Sequence, residues 1–271
     1  GVGASLPQFM TDVNGTLYFS GSGTAGRELW KSNGTEAGTV QVKDIFPKKG
    51  GSNPTWMVHV NGVVFFAAND GQHGYELWKS DGTAQGTVLV KDIRTATKIG
   101  STPEQFAAAN GLVYFIAGGD TSGRELWKSD GTEAGTTIVK DIRPGGTNGG
   151  IENLTAVNDH LFFSANDGMH GHELWKTDGT EMGTQMVKDM TPGPAGSHGE
   201  HPFMFRIQNC TNVNGKLFFT AYQNNDYFVW KSDGTEAGTV PIAPCYGFGI
   251  GSPVALFTEM NGNIYFFNED V

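Results

Sequence analysis

The chain has 271 residues, 38% of them hydrophobic and gathered in short blocks, which is enough for one large domain with a sizeable core. Its formal net charge is −10, which argues against nucleic acid and anionic membranes as partners, because both require a basic face. No apolar run reaches the roughly 18 residues that a membrane span needs, so the sequence predicts no membrane insertion.

One motif recurs along the chain, and its second copy reads ELWKSDGTAQGTVLVKDI. Four full copies begin at Glu28, Glu76, Glu125 and Glu173, and a decayed fifth copy runs over 228–244. The tryptophans of the five copies are 48, 49, 48 and 55 residues apart: Trp30, Trp78, Trp127, Trp175 and Trp230. A period of this size indicates one supersecondary unit copied in series.

Each period contains four short apolar or alternating segments, here called A, B, C and D. In the second period they cover 56–60, 63–67, 76–79 and 87–92, and Asn61-Gly62 separates the first two. Asn-Gly between apolar runs is a strong hairpin signal, because both residues tolerate positive φ. No helical periodicity is present, so each period predicts a four-stranded antiparallel sheet.

The B segments, such as ValValPhePhe at 63–66, are apolar at consecutive positions, which is typical of strands buried on both faces. Sheets of this kind, stacked in series, predict an all-β fold: a β-propeller of four-stranded antiparallel blades, five- or six-bladed. We expect a single domain over 1–271, with five full repeats and a partial one at about 8–48, 54–96, 104–145, 152–193, 206–246 and 254–271.

The last repeat contains only an A–B hairpin, and three explanations stay open. The chain is a fragment of a longer array, or a two-stranded remnant closes the ring, or another molecule supplies the missing strands. The last alternative predicts self-association through the unpaired C-terminal hairpin. The Lys-Asp pairs that end the D segments, as at 43–44, suit outer edge strands protected against further pairing.

The tryptophans and the Asp-Gly-Thr turns need no function. We expect each tryptophan to fill the space between neighbouring blades. The turn aspartates, such as Asp81, are expected to accept hydrogen bonds from the backbone amides that follow them. Calcium at these turns is the alternative, although one carboxylate per turn is a poor cage for that ion.

The run ELWKSDGTxxGT resembles the bacterial ELWxxDGT repeat family over nearly the whole chain. Proteins of this family are secreted or surface-associated and have poorly defined functions. The resemblance implies a β-propeller with an extracellular, cell-surface or periplasmic location, and it implies no ligand. The SDGT turn is more weakly similar to the Asp-box of sialidase-type propellers, but its spacing differs and the trailing aromatic residue is missing, so no enzyme chemistry is carried over.

Strand alternation places the A–B and C–D turns on one face and the variable B–C loops and D-to-A links on the other, which is therefore the expected recognition face. Four histidines, His170, His172, His198 and His201, fall there within one repeat. They are either exposed loop side chains or a site for a transition metal such as zinc.

The fifth repeat differs from the others in its loops, where aromatic residues accompany Asn and Gln. The candidate ligand-binding residues are Phe203, Tyr222, Tyr227 and Tyr246. They suit sugar stacking or a protein contact, or else they pack the longer links onto the blade. A disulfide between Cys210 and Cys245 is one state that the sequence allows, and secretion favours it.

The recurring glutamates before each tryptophan are expected to be structural partners of backbone amides or lysines, since one in each repeat has the same surroundings.

The A strands are expected to line a central channel, with Asp12, His59 and Glu259 at equivalent positions. The sequence thus favours a non-catalytic extracellular or surface module that binds a glycan or a protein. A structural subunit of an extracellular assembly is the first alternative, and a hydrolase or lyase with Asp12, His59 and Glu259 in the channel is the second.

Overall fold

The computed structural model describes residues 6–47, 50–193, 207–223, 226–245, 257–260 and 263–265, with only the backbone of Cys245, Thr258, Glu259 and Asn263. Strands and turns make up this part of the chain. Among these residues, no helix is long and apolar enough to cross a membrane.

Each of the five full repeats forms one four-stranded antiparallel sheet in which the strands follow chain order A-B-C-D. The strands of repeats 1 and 2 are β1 Gln8–Val13, β2 Thr16–Gly23, β3 Gly26–Ser32, β4 Val40–Lys43, β5 Thr55–Val60, β6 Val63–Asn69, β7 Tyr75–Ser80 and β8 Val88–Lys91. Those of repeats 3 and 4 are β9 Glu104–Ala109, β10 Leu112–Gly118, β11 Arg124–Ser129, β12 Thr137–Lys140, β13 Glu152–Val157, β14 His160–Asn166, β15 His172–Thr177 and β16 Gln185–Lys188. Repeat 5 contains β17 Gln208–Val213, β18 Lys216–Gln223, β19 Asp226–Ser232 and β20 Val240–Cys245, and a two-stranded sheet of β21 Thr258–Met260 and β22 Asn263–Tyr265 follows.

The predicted hairpins are confirmed. Val60 pairs with Val63 across Asn61-Gly62, and these two turn residues have φ values of 51° and 83°. Left-handed backbone at both positions is what a two-residue hairpin loop requires, and Asn and Gly tolerate it.

The chain divides into two compact units, Gly1–Ile138 and Val139–Val271. The boundary falls within β12, so the first unit contains repeats 1 and 2 with most of repeat 3, and the second contains repeats 4 and 5 with the partial repeat. The single domain over 1–271 stays a prediction.

Apolar clusters lie between neighbouring repeats within each unit. Trp78 packs with Leu29 and Val42 of the preceding repeat, and Trp230 packs with Leu174 and Val187 of the repeat before it. The B strands are buried as predicted, with Phe66, Phe115, Phe163 and Phe219 completely covered. The prediction that these tryptophans fill the space between repeats is therefore confirmed where both neighbours belong to one unit.

Lysines connect each repeat to the next. Lys31 and Lys79, which follow the tryptophans, donate to the carbonyls of Gly82 and Gly131 in the following C–D turn, both at 2.8 Å. The D-strand lysines do the same, as Lys43 donates to Thr87 O at 2.7 Å. Equivalent bonds join Lys91, Lys140 and Lys188 to Thr136, Thr184 and Thr239. The D strands are outer strands of their sheets, as predicted, and their lysines in addition donate to carbonyls of the next repeat.

Candidate functional site

The antiparallel strand order gives every repeat two ends with different chemistry. The A–B and C–D turns lie at one end, here called the turn end. The B–C loop and the D-to-A link lie at the other, here called the loop end. Among the described residues of repeat 2, the loop end comprises residues 70–74, residues 44–47 and 50–54 of the link that enters the repeat, and the link 92–103 that leaves it.

At the turn end the recurring aspartates are bound by their own turns. Asp81 Oδ1 accepts the Thr83 N–H at 2.8 Å and the Thr83 hydroxyl at 2.7 Å, and these bonds lower the pKa of the Asp81 carboxyl. Asn33 accepts the same two bonds from Thr35 in repeat 1. The predicted turn chemistry is confirmed, and an uncharged Asn performs it equally, so the turn does not depend on a carboxylate.

The residues proposed for a channel site also cap turns. Asp12 Oδ1 accepts the Gly15 N–H at 3.1 Å, and His59 Nε2 accepts the Gly62 N–H at 2.8 Å. The side chain of Glu259 lies outside the described residues. Asp12 and His59 thus each accept an N–H of their own A–B hairpin three residues ahead, and the channel site that includes Glu259 stays a prediction.

At the loop end a buried glutamate holds the link onto its repeat. Glu76 accepts four hydrogen bonds, from the N–H groups of Ile93, Arg94 and Ser101 and from the Ser101 hydroxyl. Burial raises the pKa of the Glu76 carboxyl, and these donated bonds oppose the rise. Glu28 has the same four donors in repeat 1, with Ser52 in the place of Ser101. The prediction that these glutamates are structural partners of backbone amides is confirmed.

The B–C loops of repeats 2 and 4 each contain an Asp–His pair. Asp70 Oδ2 lies 2.7 Å from His73 Nδ1, and Asp167 Oδ2 lies 2.7 Å from His170 Nδ1. The hydrogen bond to the aspartate raises the pKa of each histidine. Each aspartate also accepts the N–H of its histidine, so the pair fixes the loop as well as the ring. The glycine after His73, Gly74, has φ of 77°, and a Cβ there would overlap the backbone of the following link.

The four histidines predicted as a metal site are only partly described. His170 is bound to Asp167, and the His172 ring lies against the backbone of Gly150. His198 and His201 lie outside the described residues. Among the residues that the structure does describe, no group of three or more His, Cys, Asp or Glu side chains is arranged to hold a metal ion.

Two of the four candidate ligand-binding aromatic residues face each other at the loop end of repeat 5. Tyr222 and Tyr227 are directly opposite on β18 and β19, with ring centroids 5.3 Å apart at 69°. Burial raises the pKa of the Tyr227 hydroxyl to about 12. Phe203 and Tyr246 lie outside the described residues.

The disulfide allowed by the sequence conflicts with the sheet order. Cys210 lies on β17 and Cys245 on β20, the two outer strands of the repeat 5 sheet. Three strand spacings of about 4.8 Å separate them by roughly 14 Å, twice the Cα separation that a disulfide tolerates. Cys210 carries a free thiol, and burial raises the pKa of that thiol to about 12, which makes it a poor nucleophile.

A pair of exposed aromatic rings occupies the loop end where repeats 1 and 2 meet. Phe9 and Trp56 are the second residues of β1 and β5, with ring centroids 6.2 Å apart at 46°. They are 39% and 42% exposed. A bond from the Thr11 hydroxyl to Met57 O at 2.9 Å joins the two strands beside them.

Both rings stand on a strained backbone. Every A strand is bulged near its start, and the bulge residue has positive φ in all five repeats: Phe9 51°, Trp56 56°, Gln105 51°, Asn153 63° and Asn209 57°. Asn adopts this conformation readily, whereas a bulky aromatic residue there costs of order 1–3 kcal/mol. The side-chain amides of Asn153 and Asn209 donate hydrogen bonds to Ile207 O and Thr220 Oγ1, respectively.

Sequence reasoning missed this pair. Trp56 is the one tryptophan of six that falls outside the repeat motif, and that was an available signal. The bulge itself has no local sequence pattern, because Phe, Trp, Gln and Asn all occupy it.

Comparison with known proteins gives likenesses of fold only. No known family model matches the sequence, and no curated protein matches it. Solved structures that resemble the chain include a puromycin hydrolase mutant, with a TM-score of 0.53, 12% identity and 89% of this chain covered. A prolyl endopeptidase is another, with a TM-score of 0.55, 10% identity and 89% of this chain covered. The β-propeller domain of the Trilobed protease from Pyrococcus furiosus aligns at a TM-score of 0.48, 10% identity and 89% coverage.

The chain spans 39%, 35% and 71% of those three structures. The activities of the hydrolase and the endopeptidase belong to much longer chains, and identities of 10–12% show fold alone. With its five four-stranded antiparallel sheets, the protein has the predicted all-β fold, a β-propeller of four-stranded blades.

Proposed function

We propose that this protein is a non-catalytic propeller module that binds a glycan or a protein through the loop ends of its repeats. The observation that carries the proposal is the use of its recurring ionisable groups. The carboxylates of Glu28 and Glu76 accept hydrogen bonds from the D-to-A links, and Asp81 accepts them from its own turn. Asp12 and His59 cap hairpins. Groups engaged in this way serve the fold, which favours a non-catalytic role.

The loop ends differ from repeat to repeat, while the turn ends are nearly the same. Repeat 5 presents Tyr222 and Tyr227, repeats 2 and 4 present Asp–His pairs, and the first two repeats present Phe9 and Trp56. Aromatic rings beside neutral polar groups suit sugars and protein side chains. The resemblance to ELWxxDGT repeats supports an extracellular, surface or periplasmic location.

Exposed residues at the two ends of repeat 4 allow a matched test. Met169 in the B–C loop is 68% exposed, and Met182 in the C–D turn is 94% exposed, so neither substitution disturbs the core. Gln72 and Gln85 are the corresponding exposed pair in repeat 2. Wild type and four variants, M169R, M182R, Q72R and Q85R, are assayed on a glycan array and against extracellular proteins of the source organism.

Binding through the loop ends predicts that M169R or Q72R weakens a saturable interaction about tenfold or more, while M182R and Q85R match the wild type. Equal binding by all four variants, or loss only with the turn-end variants, would contradict the assignment. Turnover of a bound ligand by the wild type would show that the protein is an enzyme.

A second candidate, a subunit of an extracellular assembly, is favoured by one face of repeat 1. Leu17 at the start of its B strand is 37% exposed, whereas the equivalent Val64, Val113 and Leu217 are completely buried. In the three later cases the side chain belongs to a cluster shared with the preceding repeat. A second copy of the chain would cover Leu17 in the same way.

Light scattering over a concentration series tests this candidate. Assembly through repeat 1 predicts a mass that rises with concentration and that falls to the monomer value in Leu17→Ser. A strict monomer at high concentration would rule the candidate out. A mass that rises with concentration equally in L17S and the wild type would show that the interface lies elsewhere. The predicted C-terminal hairpin is then the next surface to test.

A further inference from the structure

We propose that Phe9 and Trp56 form a binding platform for a neutral carbohydrate. The inference rests on the proposed binding function and assigns it a site and a ligand class. It starts from a conflict within the repeat: the same bulge position holds amide side chains in repeats 3, 4 and 5 and aromatic ones in repeats 1 and 2. Asn, which repeats 4 and 5 carry, suits the left-handed backbone, whereas Phe and Trp oppose it.

Packing does not explain the two rings. Both are more than a third exposed, unlike the tryptophans of the motif, and a core role would have buried them. The two partly exposed rings lie next to each other, with centroids 6.2 Å apart, at the end of the repeat where the loops vary. Residues held in strained backbone conformations cluster at active sites and ligand-binding sites.

The size of the platform favours a small ligand. An aromatic side chain offers about 150–250 Å², so two rings near 40% exposure present on the order of 120–200 Å². A stable protein interface needs roughly 800 Å² on each partner. The pair is thus too small to anchor a protein alone, and it matches the face of one or two sugar rings.

Charge favours a neutral ligand. The chain carries a formal net charge of −10, which repels anionic sugars and phosphates. Arg27 is a cation at this end of repeat 1. Its guanidinium donates hydrogen bonds to the carbonyls of Leu6 and Ser20. The Thr11 hydroxyl, two residues along β1 from Phe9, is a neutral polar group that donates to Met57 O at 2.9 Å.

The repeats supply the test variant themselves. Trp56→Asn installs the residue that repeats 4 and 5 carry at this bulge, so it removes the ring and relieves the backbone. W56N is expected to unfold at the same temperature as the wild type or a higher one. Phe9→Asn is the companion variant, and the turn-end M182R is the control for general damage.

The measurement is an NMR titration of the tryptophan indole N–H signals. The five motif tryptophans have buried indole nitrogens, so the signal of Trp56 reports the platform, and W56N identifies it by its loss. The probes are cellohexaose, maltohexaose, xylohexaose and chitohexaose, each up to about 10 mM, where even a millimolar site fills. We expect at least one to shift the Trp56 signal and saturate.

Binding measured independently by calorimetry is then expected to weaken about tenfold or more in W56N and to be unchanged in M182R. No shift of the Trp56 signal with any of the four sugars would overturn the inference, as would a sugar affinity that W56N leaves intact. A shift produced only by a proline-rich peptide would overturn the ligand class. If the loop-end variants M169R or Q72R lose a ligand that W56N keeps, this site is wrong while the proposed function stands. If no ligand binds any form of the protein, both fail.

Discussion

Replacing Glu76 by Gln is the sharpest perturbation of this fold, because it exchanges one carboxylate oxygen for an NH₂ group and keeps the shape of the side chain. Glu76 Oε1 accepts the N–H groups of Arg94 and Ser101 at 3.2 and 2.8 Å. Its Oε2 accepts the Ile93 N–H at 3.2 Å and the Ser101 hydroxyl at 2.5 Å. All four partners are donors to a completely buried carboxylate. A Gln amide keeps one acceptor oxygen and turns an NH₂ group towards the remaining donors.

The expected loss follows from the donors left unsatisfied. Two buried donors at about 1–3 kcal/mol each give a loss near 3 kcal/mol for Glu76→Gln. Urea unfolding at pH 7, followed by tryptophan fluorescence, measures it as a fall in midpoint of about 1 M or more at unchanged slope. Amide hydrogen exchange at Ser101 should speed up in parallel, because that N–H is held by the carboxylate.

Glu104→Gln is the matched control. Glu104 pairs with Arg124 at 2.6 Å but its side chain is 43% exposed, so the substitution should change the unfolding free energy by about 0–1 kcal/mol. If Glu76→Gln unfolded within about 0.5 kcal/mol of the wild type, the carboxylate would not be anchoring the link, and the structural role given to the recurring glutamates would be wrong.

Three further outcomes are expected. Trp230→Ala should lower the unfolding free energy by about 3–5 kcal/mol in calorimetry, because its 1%-exposed indole fills the cluster between repeats 4 and 5, and a small loss would contradict that packing. The hydrogen bond to Asp70 raises the pKa of His73, so its stabilising effect is complete below the ordinary pKa of 6.5 and is lost as the pH rises through the raised value. An NMR titration should show that pKa falling in Asp70→Asn, and an unchanged value would refute the pairing. Asp81→Ala should cost about 1 kcal/mol while Asp81→Asn is neutral in urea unfolding, since Asn33 makes the same turn in repeat 1, and equal costs would point to a role for the charge.

Local chemistry made the repeat and its sheets predictable. Asn61-Gly62 specifies a two-residue hairpin because both residues accept positive φ, and the same signal recurs at the A–B turns of repeats 1, 3 and 5, with Asn158-Asp159 in its place in repeat 4. The continuous apolar B segments indicate burial on both faces whatever their neighbours are. The regular tryptophan spacing then gives the order in which the units are copied. The recurring glutamates were also readable, because identical surroundings in each repeat indicate a structural role.

Contacts between residues far apart in the chain decided the remainder. The D-strand lysines look like edge charges in sequence, yet Lys43 reaches a carbonyl 44 residues ahead in the next turn. Cys210 and Cys245 seemed close because both were expected near one face, but the sheet places them on opposite outer strands.

The candidate site shows the same division. Tyr222 and Tyr227 could be picked from sequence because they interrupt the motif, and pairing across β18 and β19 then brought their rings together. Trp56 falls outside the repeat motif, which was a signal, but its pairing with Phe9 could not be predicted, since a bulge carries no residue signature of its own. By itself, the sequence determined which segments are strands and turns, because those depend on neighbouring residues. Only the tertiary structure decided which side chains meet and which remain exposed, because that depends on how distant strands are placed in register.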